Sequence, residues 1–197
     1  MKPHQYYIIY KPFQVLSQFS AVENKKILSN YFSVEKDVYA VGRLDYDSEG
    51  LLILTNDKSL NQKLLHPSHQ HVREYWVQVE GSITNEALLQ LQRGVQISVD
   101  GKLYNTKQAI VKILHEPFVP ERNPPIRFRK NISTSWISLQ LTEGKNRQVR
   151  KMTAAAGFPT LRLIRSRIEN ISLNQMQPGD IISLSKASIY KKLFNEQ

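Results

Sequence analysis

Two carboxylates, Asp45 and Asp47, stand between two glycines and directly before an apolar run, and their setting suits chemistry. The segment 41–57 reads V-G-R-L-D-Y-D-S-E-G-L-L-I-L-T-N-D, so a charged loop leads into a buried strand over 51–54. A strand fixes a carboxylate that the loop exposes, and such a group can act as a nucleophile or a proton-transfer catalyst. The alternative is an ordinary surface turn, because Asp and Gly are common in turns.

The positive charge of the chain is concentrated in one stretch. The chain has 197 residues, 27 of them Lys or Arg and 17 Asp or Glu, for a net charge of +10. Between Glu121 and Arg167 there are eleven basic and two acidic residues, so the other 150 residues carry only about +1. Such a concentration is typical of a protein that binds a polyphosphate. An acidic protein or an anionic membrane surface is the alternative partner.

Several classes of protein are excluded or disfavoured by composition. The chain has no cysteine, which excludes disulfides and thiolate metal sites. No run approaches the ~18 apolar residues of a membrane span, and the N-terminus lacks the layout of a signal peptide. We therefore expect a cytoplasmic protein without a membrane partner. His66, His69 and His71 lie close together, but no acidic residue or cysteine joins them at ligand spacing, so we predict a solvated loop and no metal.

Hydrophobic periodicity predicts the elements that position the carboxylates. Helical spacing predicts helices over 24–32, 58–65, 85–93 and 146–156. Asn56-Asp57 is a plausible cap of the second helix, and Thr84 and Gly94 are predicted to begin and end the third. Asp100-Gly101 predicts a hairpin between two strands. Alternating or β-branched runs predict strands over 6–10, 51–54, 73–80, 95–99, 103–106, 109–114, 136–141, 168–173 and 180–184. Strands outnumber helices and the turns are short, so we predict an α+β fold with a mixed, mostly antiparallel sheet and flanking helices.

Three motifs resemble those of the pseudouridine synthases, in the branch that modifies ribosomal RNA. G-R-L-D-x-D-S-E-G-L-L-x-L-T-N-D resembles the family signature, which implies that Asp45 is the catalytic residue. R-E-Y-W-V-Q-V-E-G implies that Tyr75 stacks on the target base, although an ordinary core tyrosine is the alternative. E-G-K-N-R-Q-V-R-K-M implies that Arg150 pairs with the catalytic carboxylate, the alternative being a solvated helix face. Leu163, in L-R-L-I-R-S-R, is the residue implied to line the uracil pocket.

The resemblance spans nearly the whole chain and implies a fold and a reaction. The fold is a single catalytic domain over 1–197, with two lobes sharing one sheet, a central RNA-binding cleft and no N-terminal S4 module. The reaction is isomerisation of uridine to pseudouridine in RNA, without cofactor or metal, by a monomer. Large-subunit (23S) ribosomal RNA is the favoured substrate. The basic residues of 122–130 and 145–167 are the candidates for contacts with RNA, mainly with its phosphates. The individual residues expected to contact RNA are Arg43, Arg122, Arg127, Lys145, Asn146, Arg147 and Lys151.

Three other functions stay open from the residues alone. The first is the same reaction on small-subunit ribosomal RNA or transfer RNA. The second is a non-catalytic RNA-binding or ribosome-assembly protein, which would tolerate loss of Asp45. The third is a hydrolase with Asp45 and Asp47 as an acid/base pair, but paired carboxylates in glycoside chemistry usually come from different elements.

Overall fold

The computed structural model describes residues 3–115, 117–126 and 132–196, and the chain divides into two compact units. The first unit comprises Met1–His71 with Arg165–Gln197, and the second comprises Val72–Ile164. The single catalytic domain over 1–197 stays a prediction.

The described strands and α-helices are, in chain order, β1 Tyr6–Lys11, β2 Val15–Leu16, β3 Lys26–Ile27, β4 Tyr39–Val41, β5 Glu49–Thr55, α1 Lys58–Leu65, β6 Arg73–Glu80, α2 Asn85–Arg93, β7 Gln96–Val99, β8 Lys102–Asn105, β9 Ile110–Leu114, β10 Thr134–Leu141, α3 Gln148–Ala155, β11 Thr160–Ile168, β12 Ile171–Ser172, β13 Ile181–Ser183 and α4 Lys186–Phe194.

Strand β5 is the centre of the first unit, and all seven of its residues are buried. It pairs antiparallel with β1, in a register that runs from Tyr6 opposite Thr55 to Lys11 opposite Gly50. Strand β13 pairs with the other edge of β1, and β4 also pairs with β5. Burial on both faces explains why the sequence of β5 is a continuous apolar run instead of an alternating one.

Helix α1 is capped at its N-terminus by Asp57, as the sequence predicted. The Oδ1 atom of Asp57 accepts hydrogen bonds from the backbone N–H groups of Ser59 at 2.9 Å and Leu60 at 3.3 Å. Its Oδ2 atom accepts from the hydroxyls of Tyr6 and Tyr190, each at 2.8 Å. Burial alone would raise the pKa of the Asp57 carboxyl, but the four hydrogen bonds outweigh burial and lower that pKa. One side chain therefore ties α1 to β1 and α4.

The second unit is built on the antiparallel strands β6, β10 and β9, in that order. Thr84 caps helix α2 through its hydroxyl, and Gly94 follows the helix, as predicted. The predicted hairpin around Asp100 and Gly101 is confirmed as β7 and β8. Helices α2 and α3 contribute buried residues to the same hydrophobic cluster as the sheet: Val77, Val79, Leu88, Leu91, Ile137, Leu139, Val149 and Met152 are among its members.

The structure corrects two predictions of secondary structure and contains one helix for which the sequence analysis made no prediction. Residues 24–32 form the short strand β3 and a 3-10 turn over Leu28–Asn30 instead of a helix, because the backbone N–H of Leu28 donates to Gln18 O at 2.9 Å. The predicted strand over 168–173 is displaced: the chain forms the nine-residue strand β11, then the two-residue strand β12. Helix α4 was not predicted. Elsewhere the predicted elements are present, with ends that move by a few residues.

No helix in residues 3–115, 117–126 and 132–196 combines the length and the apolar character that a membrane crossing requires.

Candidate active site

Asp45 lies in the connection between β4 and β5. The two strands pair antiparallel, with Val41 opposite Ile53, so residues 42–48 leave the sheet as a loop. The loop contains a turn in which the backbone N–H of Ser48 donates to Asp45 O at 3.0 Å. The Asp45 side chain is half-buried. A carboxylate is therefore held at the end of a buried strand and still reaches solvent, as the sequence predicted.

A serine that sequence reasoning missed fixes the backbone beside Asp45. The hydroxyl of Ser17 donates to Leu44 O at 2.9 Å and accepts from the backbone N–H of Leu44 at 3.0 Å. Ser17 and Leu44 are both buried. Because the hydroxyl satisfies both polar groups of one peptide residue, it holds the loop in a single position next to Asp45.

Three charged side chains are buried in the first unit close to the Asp45 loop. Lys11, Glu49 and Arg165 are 0%, 1% and 5% exposed. The Lys11 Nζ donates to the carbonyl oxygens of Pro12 at 2.9 Å and Val15 at 2.7 Å. The Arg165 Nε donates to Leu51 O at 2.8 Å. Burying a charge is costly unless the charge is hydrogen-bonded and balanced by an opposite charge. A cluster of three buried charges near the Asp45 loop is therefore a candidate functional feature.

The pKa of Lys11 is lowered from 10.5 to about 7, chiefly because burial disfavours the ammonium form. The carboxylate of Glu49 acts in the opposite direction, Arg165 lowers the pKa further, and Asp45 and Asp47 raise it. The Asp45 loop and Lys11 are therefore electrostatically coupled within the first unit.

We expect the lowered pKa of Lys11 to appear as a pH-dependent difference in stability between the wild type and Lys11→Met. The folded pKa is the lower one, so between pH 7 and 10.5 the unfolded chain binds more protons at this position than the folded chain. The contribution of Lys11 to the free energy of unfolding therefore rises with pH in this window, by at most about 1.4 kcal/mol per unit. Urea unfolding of both proteins at pH 7, 8 and 9 measures it. A difference that stays flat over this range would contradict the prediction.

Gly50 allows β5 and β11 to approach closely beneath the loop. Its φ is +107°, and a Cβ added there would lie 2.4 Å from Arg165 O and 2.7 Å from Arg165 N. Only glycine fits both this backbone conformation and this spacing. The glycine of the D-S-E-G motif thus has a packing role, and it brings the buried Arg165 close to β5.

Of the residues predicted to act in the site, Asp45 and Arg43 lie in the first unit, and Tyr75, Leu163 and Arg150 lie in the second. Arg43 is exposed. Tyr75 is on β6 opposite Leu139, half-buried, and packs against the hydrophobic cluster of its unit. Leu163 is a buried member of that cluster, 5% exposed. Tyr75 and Leu163 therefore share one cluster in the second unit.

The third motif begins with a hydrogen-bond network that the sequence did not reveal. The Glu143 Oε2 accepts from the Tyr104 hydroxyl at 2.6 Å, and its Oε1 accepts from the Gln148 side-chain amide at 2.6 Å and the Lys107 backbone N–H at 2.9 Å. The Gln148 Oε1 accepts in turn from the backbone N–H of Lys145 at 2.9 Å. These bonds hold the segment that leads into α3, so Glu143 and Gln148 act as positioning residues of this motif.

Helix α3 begins at Gln148 instead of the predicted Asn146. Arg147 precedes it in a left-handed conformation, with φ of +53°. Lys145, Asn146 and Arg147 are exposed, and Arg150 and Lys151 are half-buried. The residues of this motif that were predicted to contact RNA lie in the second unit and are therefore wholly or partly accessible to a ligand.

Other basic residues between positions 121 and 167 are less exposed to solvent than the concentration of charge suggested. Arg162 and Arg165 lie in β11 and are 4% and 5% exposed, so the prediction that basic residues throughout 145–167 face phosphates is wrong for these two. Arg122 is half-buried, and its Nε donates to Pro124 O at 2.9 Å. Arg127 lies outside the described residues.

The histidine-rich segment includes a short 3-10 helix, Pro67–His69, instead of a plain loop. His66 and His69 are exposed, as predicted, but His71 is half-buried, and its Nδ1 lies 3.0 Å from Glu169 Oε1. Within the described part of the chain, no group of three or more His, Cys, Asp or Glu side chains is arranged to hold a metal ion.

Three comparisons with known proteins show the family to which the chain belongs. The model of the RNA pseudouridylate synthase family matches residues 5–155. A ribosomal large subunit pseudouridine synthase E of Vibrio parahaemolyticus is 49% identical over 172 residues, which cover 87% of this chain and 70% of the relative. A protein with the same description from Vibrio vulnificus is 48% identical over 181 residues, which cover 92% of this chain and 75% of the relative.

The fold is confirmed by a solved structure. A crystal structure of a pseudouridylate synthase matches with a TM-score of 0.78 at 22% identity, over 98% of this chain and 75% of that one. The predicted α+β fold is therefore correct. The chain belongs to the RNA pseudouridylate synthase family, whose members are enzymes that isomerise uridine to pseudouridine within RNA.

Proposed function

We propose that this enzyme isomerises one specific uridine of large-subunit ribosomal RNA to pseudouridine, with Asp45 as its catalytic residue. The relatives from both Vibrio species are described as large subunit enzymes, and their similarity extends over most of this chain. The observation that carries the assignment of Asp45 is its position: a half-buried carboxylate in the loop before a buried strand, with its charge acting on buried Lys11. Such a setting fixes a carboxylate and leaves it accessible to a ligand.

The proposed reaction keeps every atom of the nucleotide. The bond between N1 of uracil and C1′ of ribose breaks, the base turns while it is bound, and C5 bonds to C1′. C5 then loses its hydrogen, and N1 gains a proton. Because substrate and product are isomers, no oxidant, reductant or co-substrate is consumed. Asp45 acts either as a nucleophile on the nucleotide or as a base that removes a sugar proton.

The second unit supplies the other proposed functions. Tyr75 stacks on the target base, Leu163 lines the uracil pocket, and Arg150 keeps Asp45 ionised and oriented. Exposed or half-buried basic residues support phosphate contacts by this unit; in the described chain these include Arg122, Lys145, Arg147 and Lys151. The target uridine must leave its stack to react, at about a few kcal/mol, and such contacts offset that cost.

The role of Arg150 is tested by two substitutions. We expect Arg150→Gln to lower kcat by about a hundredfold, because the proposed role of the Arg150 guanidinium is to hold and orient the Asp45 carboxylate. Arg150→Lys restores the charge without the guanidinium geometry and is expected to recover part of the rate. Pseudouridine formation in a ribosomal RNA transcript, measured together with thermal unfolding, checks this. Equal rates for Arg150→Gln and the wild type would refute the proposed role.

The location and oligomeric state belong to the same proposal. Ribosomal RNA as the substrate favours an enzyme that works in the cytoplasm, where ribosomes act, and we propose that it does so as a monomer. Light scattering of the purified protein alone and with transcript measures the oligomeric state.

The purified protein itself provides the test of the proposed activity. Incubation with an unmodified large-subunit transcript is expected to yield one pseudouridine, and a small-subunit transcript is expected to yield none. A site in the small-subunit transcript instead would overturn the proposed substrate. RNA binding without any product would favour a non-catalytic RNA-binding protein.

A further inference from the structure

A tight turn of the first unit brings a lysine against the residue that follows Asp45. Val22 and Lys25 form an antiparallel bridge, and the backbone N–H of Lys25 donates to Val22 O at 3.3 Å. Asn24, inside this turn, has a φ of +57°. The turn leads directly into β3, which pairs with β2. The backbone therefore fixes the place of Lys25 on this surface.

The side chain of Lys25 lies over the ring of Tyr46. Its Nζ is 5.5 Å from the ring centroid, within the range of a cation–π contact. Lys25 is exposed and Tyr46 is half-buried, so both reach solvent. Tyr46 follows Asp45 in the turn that the Ser48 N–H closes. Because the Cα atoms of consecutive residues are about 3.8 Å apart, the backbone of Tyr46 lies directly beside that of Asp45, and both residues belong to the same loop.

The two side chains have the chemistry of a single-stranded RNA contact. An aromatic ring offers a face on which any base can stack, and an ammonium contacts a phosphate as a point charge. Two acidic residues lie nearby, Glu23 in the turn and Asp47 beside Tyr46. The carboxylates repel phosphate, so the contribution of Lys25 rests on its position over the ring and not on a general positive field.

We propose that Lys25 and Tyr46 form a subsite for the nucleotide next to the target uridine, with Tyr46 stacking on its base and Lys25 contacting its phosphate. This subsite rests on the proposed function, since it assumes that the target uridine is at Asp45. A uridine that leaves its stack exposes the base beside it, and Tyr46 covers that base. The pair thus favours target uridines whose neighbouring base stacks well on Tyr46 and whose strand is flexible enough to expose that base.

The test combines kinetics and equilibrium binding with a short fluorescent RNA that contains the target uridine in its unmodified form. We expect Tyr46→Leu to raise KM and Kd by about tenfold with kcat within about threefold of the wild type, and Tyr46→Phe to recover wild-type values. Lys25→Gln should weaken binding and reduce the slope of log Kd against log salt by about one. Lys36→Gln, which removes an exposed lysine elsewhere in the unit, is the matched control and should leave the slope unchanged.

Several outcomes would overturn the subsite. Unchanged KM, Kd and salt slope in both Tyr46→Leu and Lys25→Gln would reduce the pair to a contact that stabilises the fold. A loss of kcat at unchanged Kd in Tyr46→Leu would mean that Tyr46 positions Asp45 and does not bind RNA. If the wild type binds the RNA without turnover, the proposed function fails and the subsite beside a target uridine fails with it, and the binding data then show only whether Lys25 and Tyr46 contact RNA. Thermal unfolding of each variant excludes a general loss of structure.

Discussion

Asp45→Asn is expected to lower the rate of pseudouridine formation by at least about a thousandfold. The amide has nearly the same shape as the carboxylate, but it is neither a nucleophile nor a base. The turn around Asp45 is held by main-chain atoms and by the Ser17 hydroxyl, none of which the substitution removes. The variant should therefore fold and bind RNA as the wild type does, and the loss should appear in kcat.

Asp47→Asn is the matched control, because Asp47 is a second half-buried carboxylate in the same loop. We expect it to retain activity within about tenfold of the wild type, since the proposed function assigns it no contact with the reacting atoms. If the two variants lost activity equally, the two carboxylates would act as a pair, as in the hydrolase hypothesis. Full activity of Asp45→Asn would remove Asp45 from the chemistry.

Gly50→Ala is expected to destabilise the fold by more than about 3 kcal/mol. The added Cβ would lie 2.4 Å from Arg165 O, a contact with backbone that rotation of a side chain cannot relieve. The φ of +107° adds strain for any residue with a Cβ. Relief requires β5 and β11 to separate, which would displace the buried Arg165. The variant should therefore lose activity as well as stability.

A second glycine separates the steric clash from the backbone strain. Gly101 also has a positive φ, +78°, but an added Cβ there would meet no atom within 4 Å. Gly101→Ala should therefore destabilise the protein by only about 1 kcal/mol. Denaturant unfolding of the two variants gives both values. If they were equal, the close approach of β5 and β11 would not be the reason for glycine at position 50.

Local signals in the sequence predicted much of the fold. Asp57 before α1, Thr84 before α2 and Asp100-Gly101 between two strands each act through neighbouring residues, so a short window contains the whole cause. The segment 24–32 shows the limit of such reasoning. Ile27 and Leu28 are buried, as the helical spacing predicted. The backbone conformation of the segment, however, is determined by its pairing with residues 16–18.

The buried charges beneath the Asp45 loop were not predicted, because charged residues are rarely fully buried. Weak signals for them exist in the sequence. Lys11 ends an apolar strand before a proline, and Arg165 stands inside L-R-L-I-R-S-R-I, which forms most of β11. The same run was assigned to an RNA-binding surface because it is basic. Charge composition measures how many cations a segment has, and only the fold determines which of them reach solvent.

The loop that carries Asp45 was predictable from the sequence. The spacing of glycines, carboxylates and an apolar run predicted a charged loop before a buried strand, and the structure contains that loop directly before β5. The catalytic role of Asp45 was implied by the resemblance to the family and stays a prediction. Ser17, Glu143 and Gln148 were missed, because their function depends on partners that are distant in the sequence or formed only in the fold.

The most direct test of the central claim is a pseudouridine map of ribosomal and transfer RNA from cells that lack this protein. The map is repeated after rescue with the wild type and with Asp45→Asn. We predict that one uridine of large-subunit ribosomal RNA loses its modification, that the wild type restores it, and that Asp45→Asn does not. An unchanged map in the absence of the protein, or full restoration by Asp45→Asn, would contradict the account.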